Sequence, residues 1–429
     1  MIETIDRKKI PALNDIGKIK IQEAEISTLD NGIPVYTISA GFQDLVKIEL
    51  LFTDASFDPA QPIISSAANR MLSEGSSTHS SQQLAEMIDA YGAFYETEES
   101  SDYCSVVLFT LNKYLDETLP VLREIITDAV FPENDLSTFI QNNRQRLIVE
   151  SEKVNSVSRK KFSEVLFGAN HSYGHYVTPA DYESLNMDVL QQYHQKNYQS
   201  GNCCILVAGK VKPGTAASLN KFFGKDDWKK SKSVSRASAA IQSAKEKIHI
   251  IEKKGAVQSA IRIGKVLFNK THPDFVGMTV LNTALGGYFG SRLMSNIRED
   301  KGYTYGIGSA LMSMKDAGCF FISTEVGANV TGKAIDEIYK EIARLSTEPV
   351  EGNELEMVKN FMTGSFLKGI DGAFQLADRW KGLWLHGLGY DYFERYLTKV
   401  RDIQSEELVI LAEKYLNSGD FYEVVVGKK

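Results

Sequence analysis

An α+β protein of two homologous domains, each a mixed, mainly antiparallel sheet covered by helices, is the architecture this sequence predicts. Chain length, one polar connection and a repeated order of elements predict it. A chain of 429 residues exceeds what one ordinary core organises, so two domains of roughly 200 residues are expected. The stretch from Lys225 to Lys247 is polar, rich in Lys and Ser, and lacks strand alternation, as a surface connection does. Domains are therefore expected at 1–224 and 248–429, with a linker at 225–247.

The two flanks read as copies of one plan. In the first, Leu45–Phe52 is an apolar strand, and Leu84–Gly92 is a helix that ends on glycine. An alternating strand from Ser101 to Leu111 follows. A helix from Leu115 to Ala129 is closed by Phe131-Pro132-Glu133, and a further helix begins there. In the second flank, Leu293–Lys301 is a short amphipathic helix with Leu293, Met294 and Ile297 on one face. Gly302 ends it in the left-handed conformation that terminates helices. Tyr303–Ser309 and Gly318–Val326 read as strands and Ala334–Leu345 as a helix. Pro349-Val350-Glu351 and Glu354-Leu355 then open the last long helix. Gly92 and Gly302 are equivalent punctuation, and a repeat of about 210 residues follows.

Composition narrows the function. Hydrophobic content of 43% and charge of 24% are those of a globular protein in water. A net charge of −7, with no basic patch interleaved with aromatics, argues against nucleic acid as a partner. No run reaches the roughly 18 apolar residues that span a membrane, and Met1–Ile10 lacks the apolar core of a signal peptide. A cytoplasmic location is the resulting expectation. Cys104, Cys203, Cys204 and Cys319 lie in apolar, strand-like runs without metal-type spacing, so they read as buried thiols.

Arg298 and Tyr305 carry the most chemistry. A helix, a glycine turn and a strand could aim a guanidinium and a phenol at one spot, where both donate to a peptide carbonyl or its oxyanion. Spacing alone makes this a weak signal. The surrounding residues strengthen it, because Gly286, Gly287, Gly290, Ser291, Arg292, Leu293, Arg298, Glu299, Gly302 and Tyr305 follow a glycine-rich turn, Ser-Arg-Leu, Arg-Glu-x-x-Gly-x-x-Tyr order. In this the run resembles the C-terminal half of the pitrilysin/insulinase-type zinc peptidases, and the resemblance to that family covers most of the chain, from about Ile26 to the C-terminus. The resemblance implies two homologous halves. It also implies catalytic roles for Arg298 and Tyr305, and substrate binding near Gly286, Gly287 and Ser291.

Catalytic members of that family carry an inverted His-x-x-Glu-His helix in the first half and a Glu about 80 residues later. Two imidazoles and a carboxylate hold Zn²⁺, and the motif glutamate deprotonates water. Anchoring on Met71-Leu72 and Gly75 puts Ser66, Asn69 and Arg70 at those positions here. Serine is a poor zinc ligand, asparagine is no base, and Arg70 repels a dication. Glu150 stands near the third-ligand position, though a solvated helix glutamate is its ordinary reading. No zinc is expected in this chain.

No replacement centre stands out among the seven histidines. His171-Ser-Tyr-Gly-His175 has metal-like spacing, but the Asn, Ser and Gly around it read as loop, where such a pair is mostly structural. Gly-x-Ser-x-Gly is absent, and Gly286-Gly287-Tyr288-Phe289-Gly290 lacks the Lys and Ser/Thr of a phosphate loop. Phe366–Trp380, broken by Gly369 and Gly372, reads as a packed joint between helices rather than a peptide-chamber lining. The resemblance implies the zinc-less, Arg/Tyr-bearing subunit of a two-chain metallopeptidase, with zinc in a homologous partner and a peptide as substrate. A homodimer of the isolated chain and a non-catalytic scaffold are the alternatives it leaves open.

Overall fold

The computed structural model describes residues 19–53, 59–228 and 239–428. The first 18 residues of the expected first domain, and residues 229–238 of the expected linker, lie outside the described residues. The first sheet contains β1 (Glu25–Thr28), β2 (Pro34–Ser39), β3 (Leu45–Phe52), β4 (Phe94–Glu99), β5 (Cys104–Leu111) and β6 (Cys203–Gly209). The second contains β7 (Ile248–Glu252), β8 (Gln258–Leu267), β9 (Ile307–Ser313), β10 (Gly318–Gly327) and β11 (Tyr422–Gly427).

Their orders are β1-β2-β6-β3-β5-β4 and β7-β11-β8-β10-β9. Leaving out the edge strand β1, the two orders superpose strand for strand. The directions agree as well: β2 with β6 and β7 with β11 are parallel, and every other pairing is antiparallel. The architecture is the α+β fold of two homologous domains. Gly92 and Gly302 occupy matching places with φ of 60° and 64°, a backbone that glycine adopts without a Cβ clash.

Several local expectations need correction. The helix at Leu293–Lys301 is wound as a π-helix over Met294–Asp300, and the Lys301 amide donates five residues back to Asn296. Burial of Leu293 and Ile297 against the second core is kept in this wider winding. Residues 303–306 approach β9 as loop, so Tyr303 and Tyr305 precede the strand rather than alternate within it. Tyr303 packs against the core, whereas Tyr305 stands in solvent. β4 did not announce itself in the sequence because Glu96, Glu98 and Glu99 fall on both faces. β3 is internal, paired with β5 on one side and β6 on the other.

The central strands of each sheet are buried on both faces, and one face of each sheet is covered by the opposite half. Ile48, Leu50, Val106, Leu108 and Val207 meet helices of their own half. Ile38, Leu51, Leu206 and Ala208 instead meet Leu376, Ala377 and Trp380 of helix Ala373–Trp384. Reciprocally, Val424 and Val426 of β11 meet Phe162, Val165 and Leu166 of helix Val154–Phe167. Burial on both faces explains why β3 and β6 read as continuous apolar runs rather than alternating ones. The joint at Gly369–Gly372 is the turn that delivers the second of these helices. All four cysteines are buried and free, and burial pushes the Cys104 thiol up to about 11 and Cys319 to about 12.

Where helix Ala373–Trp384 meets the first sheet, a set of charges is buried. Lys381 Nζ donates to Glu49 Oε1 at 2.7 Å and to Glu98 Oε2 at 3.1 Å. Lys47 Nζ donates to Asp378 Oδ1 at 2.9 Å and lies 3.3 Å from Glu49 Oε2. Glu49 is fully buried, so these two ammonium groups are its only compensation among the described residues. Removing one partner of such a pair leaves an uncompensated charge and costs about 3–5 kcal/mol. Lys381→Ala should therefore lower the urea midpoint by the equivalent of about 3 kcal/mol or more. The paired change Glu49→Gln/Lys381→Met should recover most of it, and a single-variant loss below about 1 kcal/mol would show the cluster to be dispensable.

Candidate functional site

Ser66, Asn69 and Arg70 lie on helix Ile64–Arg70 beside β4 and β5. Their side chains are committed elsewhere. Ser66 Oγ donates to Glu99 Oε1 at 2.8 Å, and Arg70 Nη2 donates to the same oxygen at 3.0 Å. Asn69 is fully buried. Its amide donates to the Glu98 carbonyl at 2.8 Å, and its oxygen accepts from the Tyr198 hydroxyl at 2.8 Å. Burial holds the Tyr198 phenol far above its ordinary range, so it stays a neutral donor. Glu150 accepts from Lys153 at 2.6 Å and from Ser156, and these bonds hold its carboxyl below the usual range.

Zinc does not fit this donor set. A serine and a guanidinium stand at the two expected histidine positions and a carbonyl-bound asparagine at that of the base, and among the described residues no group of three or more His, Cys, Asp or Glu could hold a metal. The histidine pair does not form a site either. His171 is buried and its Nδ1 accepts from the Tyr173 amide, while His175 Nδ1 meets the Ala169 carbonyl and Nε2 lies 3.4 Å from Asp181.

Arg298 and Tyr305 share a cleft of about 920 Å³, with Phe289, Glu325 and Gln258 also on its wall. The Arg298 guanidinium lies over the Phe289 ring, 4.6 Å from its centre, and Glu299 is 4.0 Å away. Stacking restricts the side chain without consuming its in-plane donors. Tyr305 is 96% exposed, and no hydrogen bond engages its hydroxyl among the described residues. The cleft thus presents two free donors of the kind that grip a peptide backbone.

Gly286, Gly287 and Ser291 do not join this cleft. Gly286 is buried, and a Cβ there would stand 2.6 Å from Ser309 Oγ and 2.7 Å from the Ser309 amide. Ser291 is also buried; its carbonyl accepts from the Ser295 amide, and its hydroxyl has no partner among the described residues. Gly287 borders a separate cavity of about 540 Å³ with Phe366, Arg379 and Leu383. Gly286 and Ser291 are thus buried rather than on the cleft wall, and at Gly286 the close approach of Ser309 leaves no room for a Cβ. Sequence reasoning missed Phe289, whose exposed aromatic ring within Gly-Gly-Tyr-Phe-Gly was the available signal. It also missed Glu99, the counter-ion that occupies Ser66 and Arg70.

Fold and site together describe a peptidase-like protein in which Ser66 and Arg70, at positions where a metal motif was sought, form a hydrogen-bonded salt bridge with Glu99. Residues 184–362 match the family described as the Peptidase M16 inactive domain. Across 313 residues the chain is 27% identical to a zinc protease of Bacillus subtilis, YmxG, covering 72% of this chain and 74% of that one. The fold is similar to a peptidase M16 inactive domain from Pseudomonas fluorescens, with TM-score 0.85, 20% identity, and coverage of 95% and 98%. A chain of Complex III2 from Candida albicans is also similar, with TM-score 0.76 at 14% identity over 94% of this chain and 95% of that one. By these likenesses the chain is similar to the inactive-type, peptidase-like proteins of the M16 family, the pitrilysin/insulinase type, most directly over residues 184–362. No helix among the described residues is long and apolar enough to cross a membrane.

Asn69 gives this conversion a stability test. Asn69→Asp replaces a donor with an acceptor facing the Glu98 and Ser105 carbonyls. It should cost about 2 kcal/mol or more. Burial raises the pKa of the introduced carboxyl above its unfolded value, so the loss grows as pH rises through that range. Thermal melts at pH 4 and pH 7 should show the larger deficit at pH 7, and equal, small deficits would refute the assignment.

Proposed function

We propose that this chain is the non-zinc subunit of a two-chain metallopeptidase. In this reading it supplies Arg298 and Tyr305 to a zinc-bearing homologous partner. The observation that carries the proposal is the pairing on one open cleft of two donors that make no hydrogen bond among the described residues, in a chain whose Ser66 and Arg70 are engaged by Glu99. Bond cleavage belongs to the partner's metal centre. This chain's residues bind the peptide: Arg298, held over Phe289, and Tyr305 donate to its carbonyls and to the oxyanion that develops at the scissile one. The non-catalytic alternative is a scaffold or peptide-binding protein of the same fold. The likeness to a component of Complex III2 supports that second reading.

The discriminating experiment is hydrolysis of a quenched peptide library by this chain, by a zinc-bearing homologue, and by both together. Activity only in the mixture, abolished by chelation, is expected. Arg298→Ala or Tyr305→Phe should lower the rate of the mixture on the order of 10²-fold while leaving the melting curve of this chain unchanged. No gain on mixing would favour the scaffold, and hydrolysis by this chain alone would overturn the metal-less reading. Near-normal rates in both variants would remove Arg298 and Tyr305 from the mechanism.

A further inference from the structure

Beyond Tyr305 the cleft continues into two more cavities, of about 360 Å³ and 810 Å³. All three share Gln258 and Glu325, so they form one trough. Its far end lies where helix Val154–Phe167 of the first half begins against β8 of the second. Most charges there are paired. Lys153 bonds Glu150 at 2.6 Å, Lys253 lies 3.0 Å from Glu152, and Asn155 donates to Glu325 at 2.7 Å. Arg159, Lys254 and Arg262 remain, with no ion pair among the described residues.

Arg262 is the unusual member. It sits on β8, with its guanidinium 5.7 Å from the centre of the Phe321 ring. One bond, from Nη2 to Asn155 Oδ1 at 3.0 Å, is all it makes among the described residues, and its buried Nε has no acceptor. Burial and the nearby Arg159 charge both lower its pKa, which is the condition of a cation awaiting an anion. A guanidinium offers donors in a planar fork that matches a carboxylate, and two arginines facing one cavity repel until an anion lies between them. The uncapped start of helix Val154–Phe167 adds its positive dipole end on the same side. Glu150 partly offsets that end through Ser156, and Glu325 lies beside Arg262, so the surplus of positive charge is modest.

We infer that Arg262, with Arg159 and Lys254, forms a carboxylate-binding subsite in the trough that runs from Arg298 and Tyr305, selecting peptides that place an acidic side chain or a free C-terminus there. The subsite specifies the substrate class of the proposed peptide cleft and rests on the reading that the trough admits a peptide. It does not depend on catalysis by a partner.

The probes are three fluorescein-labelled decapeptides of one sequence, followed by anisotropy with the intact chain. One carries glutamate with an amidated C-terminus, one glutamine with an amidated C-terminus, and one glutamine with a free C-terminus. At least one carboxylate-bearing peptide should bind about tenfold more tightly than the neutral amide, and which one does so identifies the source of the carboxylate. Arg262→Gln and the exposed Arg159→Gln should each reduce that preference, and added salt should do the same. Arg159→Gln keeps the test valid if Arg262→Gln disturbs folding. Arg298→Ala should weaken the three peptides alike. Equal binding of all three, no binding, or a preference that survives Arg159→Gln and folded Arg262→Gln would overturn the subsite. An intact carboxylate preference with no hydrolysis on adding the zinc-bearing homologue would keep the subsite and defeat the shared-peptidase reading.

Discussion

The reciprocal exchange of helices between the two halves is the constraint on which the rest of the structure depends. Neither sheet is complete alone. Without helix Ala373–Trp384, Ile38, Leu51 and Leu206 would face water, and without helix Val154–Phe167 the same would hold for Val424 and Val426. Burying side chains of this size contributes about 1.5–3 kcal/mol each, so each half is stabilised largely by a segment of the other. The Glu49–Lys381 pair adds direction to this apolar contact. A charge buried in the first sheet, beside Lys47 of its own strand, finds its hydrogen-bonded partner only if the second half's helix docks in one register. Such a pair contributes less to net stability than to choosing between dockings of similar apolar area.

Much of the local fold was legible because the relevant signals are short-range. The apolar run Leu45–Phe52 and the glycine punctuation at Gly92 and Gly302 are readable within a few residues. So is the proline at Phe131-Pro132-Glu133, which precedes the helix Glu133–Ser151. What could not be read depends on partners far along the chain. β4 is polar on both faces and is a strand because it completes an edge against β5. The π winding of Met294–Asp300 keeps the same apolar positions that an α-helix would need, so periodicity does not separate them. Coverage of each sheet by the other half leaves no local trace except the loss of alternation in β3 and β6.

The site was legible in its residue types and less so in its environment. The mismatched Ser66, Asn69 and Arg70 suffice to exclude a zinc site by chemistry alone. The sequence could not show that Glu99 turns Ser66 and Arg70 into a hydrogen-bonded group, or that Asn69 is tied to Tyr198. These contacts matter because a merely vacated site would leave buried polar atoms without partners, at about 1–3 kcal/mol each. Here the polar atoms of the helix have partners, so a first half without metal ligands at these positions is compatible with stability. Gly286 and Ser291 lie within the motif that carries Arg298, yet both are buried away from the cleft, which the motif alone could not show.

The trough joins these two levels. Its walls come from both halves: Asn155 and Arg159 stand on the exchanged helix of the first, and Arg262, Tyr305 and Glu325 belong to the second. The packing that completes the second sheet therefore also shapes the surface beside Arg298. Helix Val154–Phe167 is fixed by Phe162, Val165 and Leu166 against β11, which holds its N-terminal turn over β8. That arrangement leaves the trough little freedom to collapse onto its own cations. Arg262 is held by its one bond to Asn155 with its Nε still without an acceptor, and Arg298 remains stacked on Phe289. An exposed Tyr305 between them is then a donor carried on a loop but flanked by rigid elements, the arrangement in which a bound peptide, rather than the protein, supplies the missing acceptors.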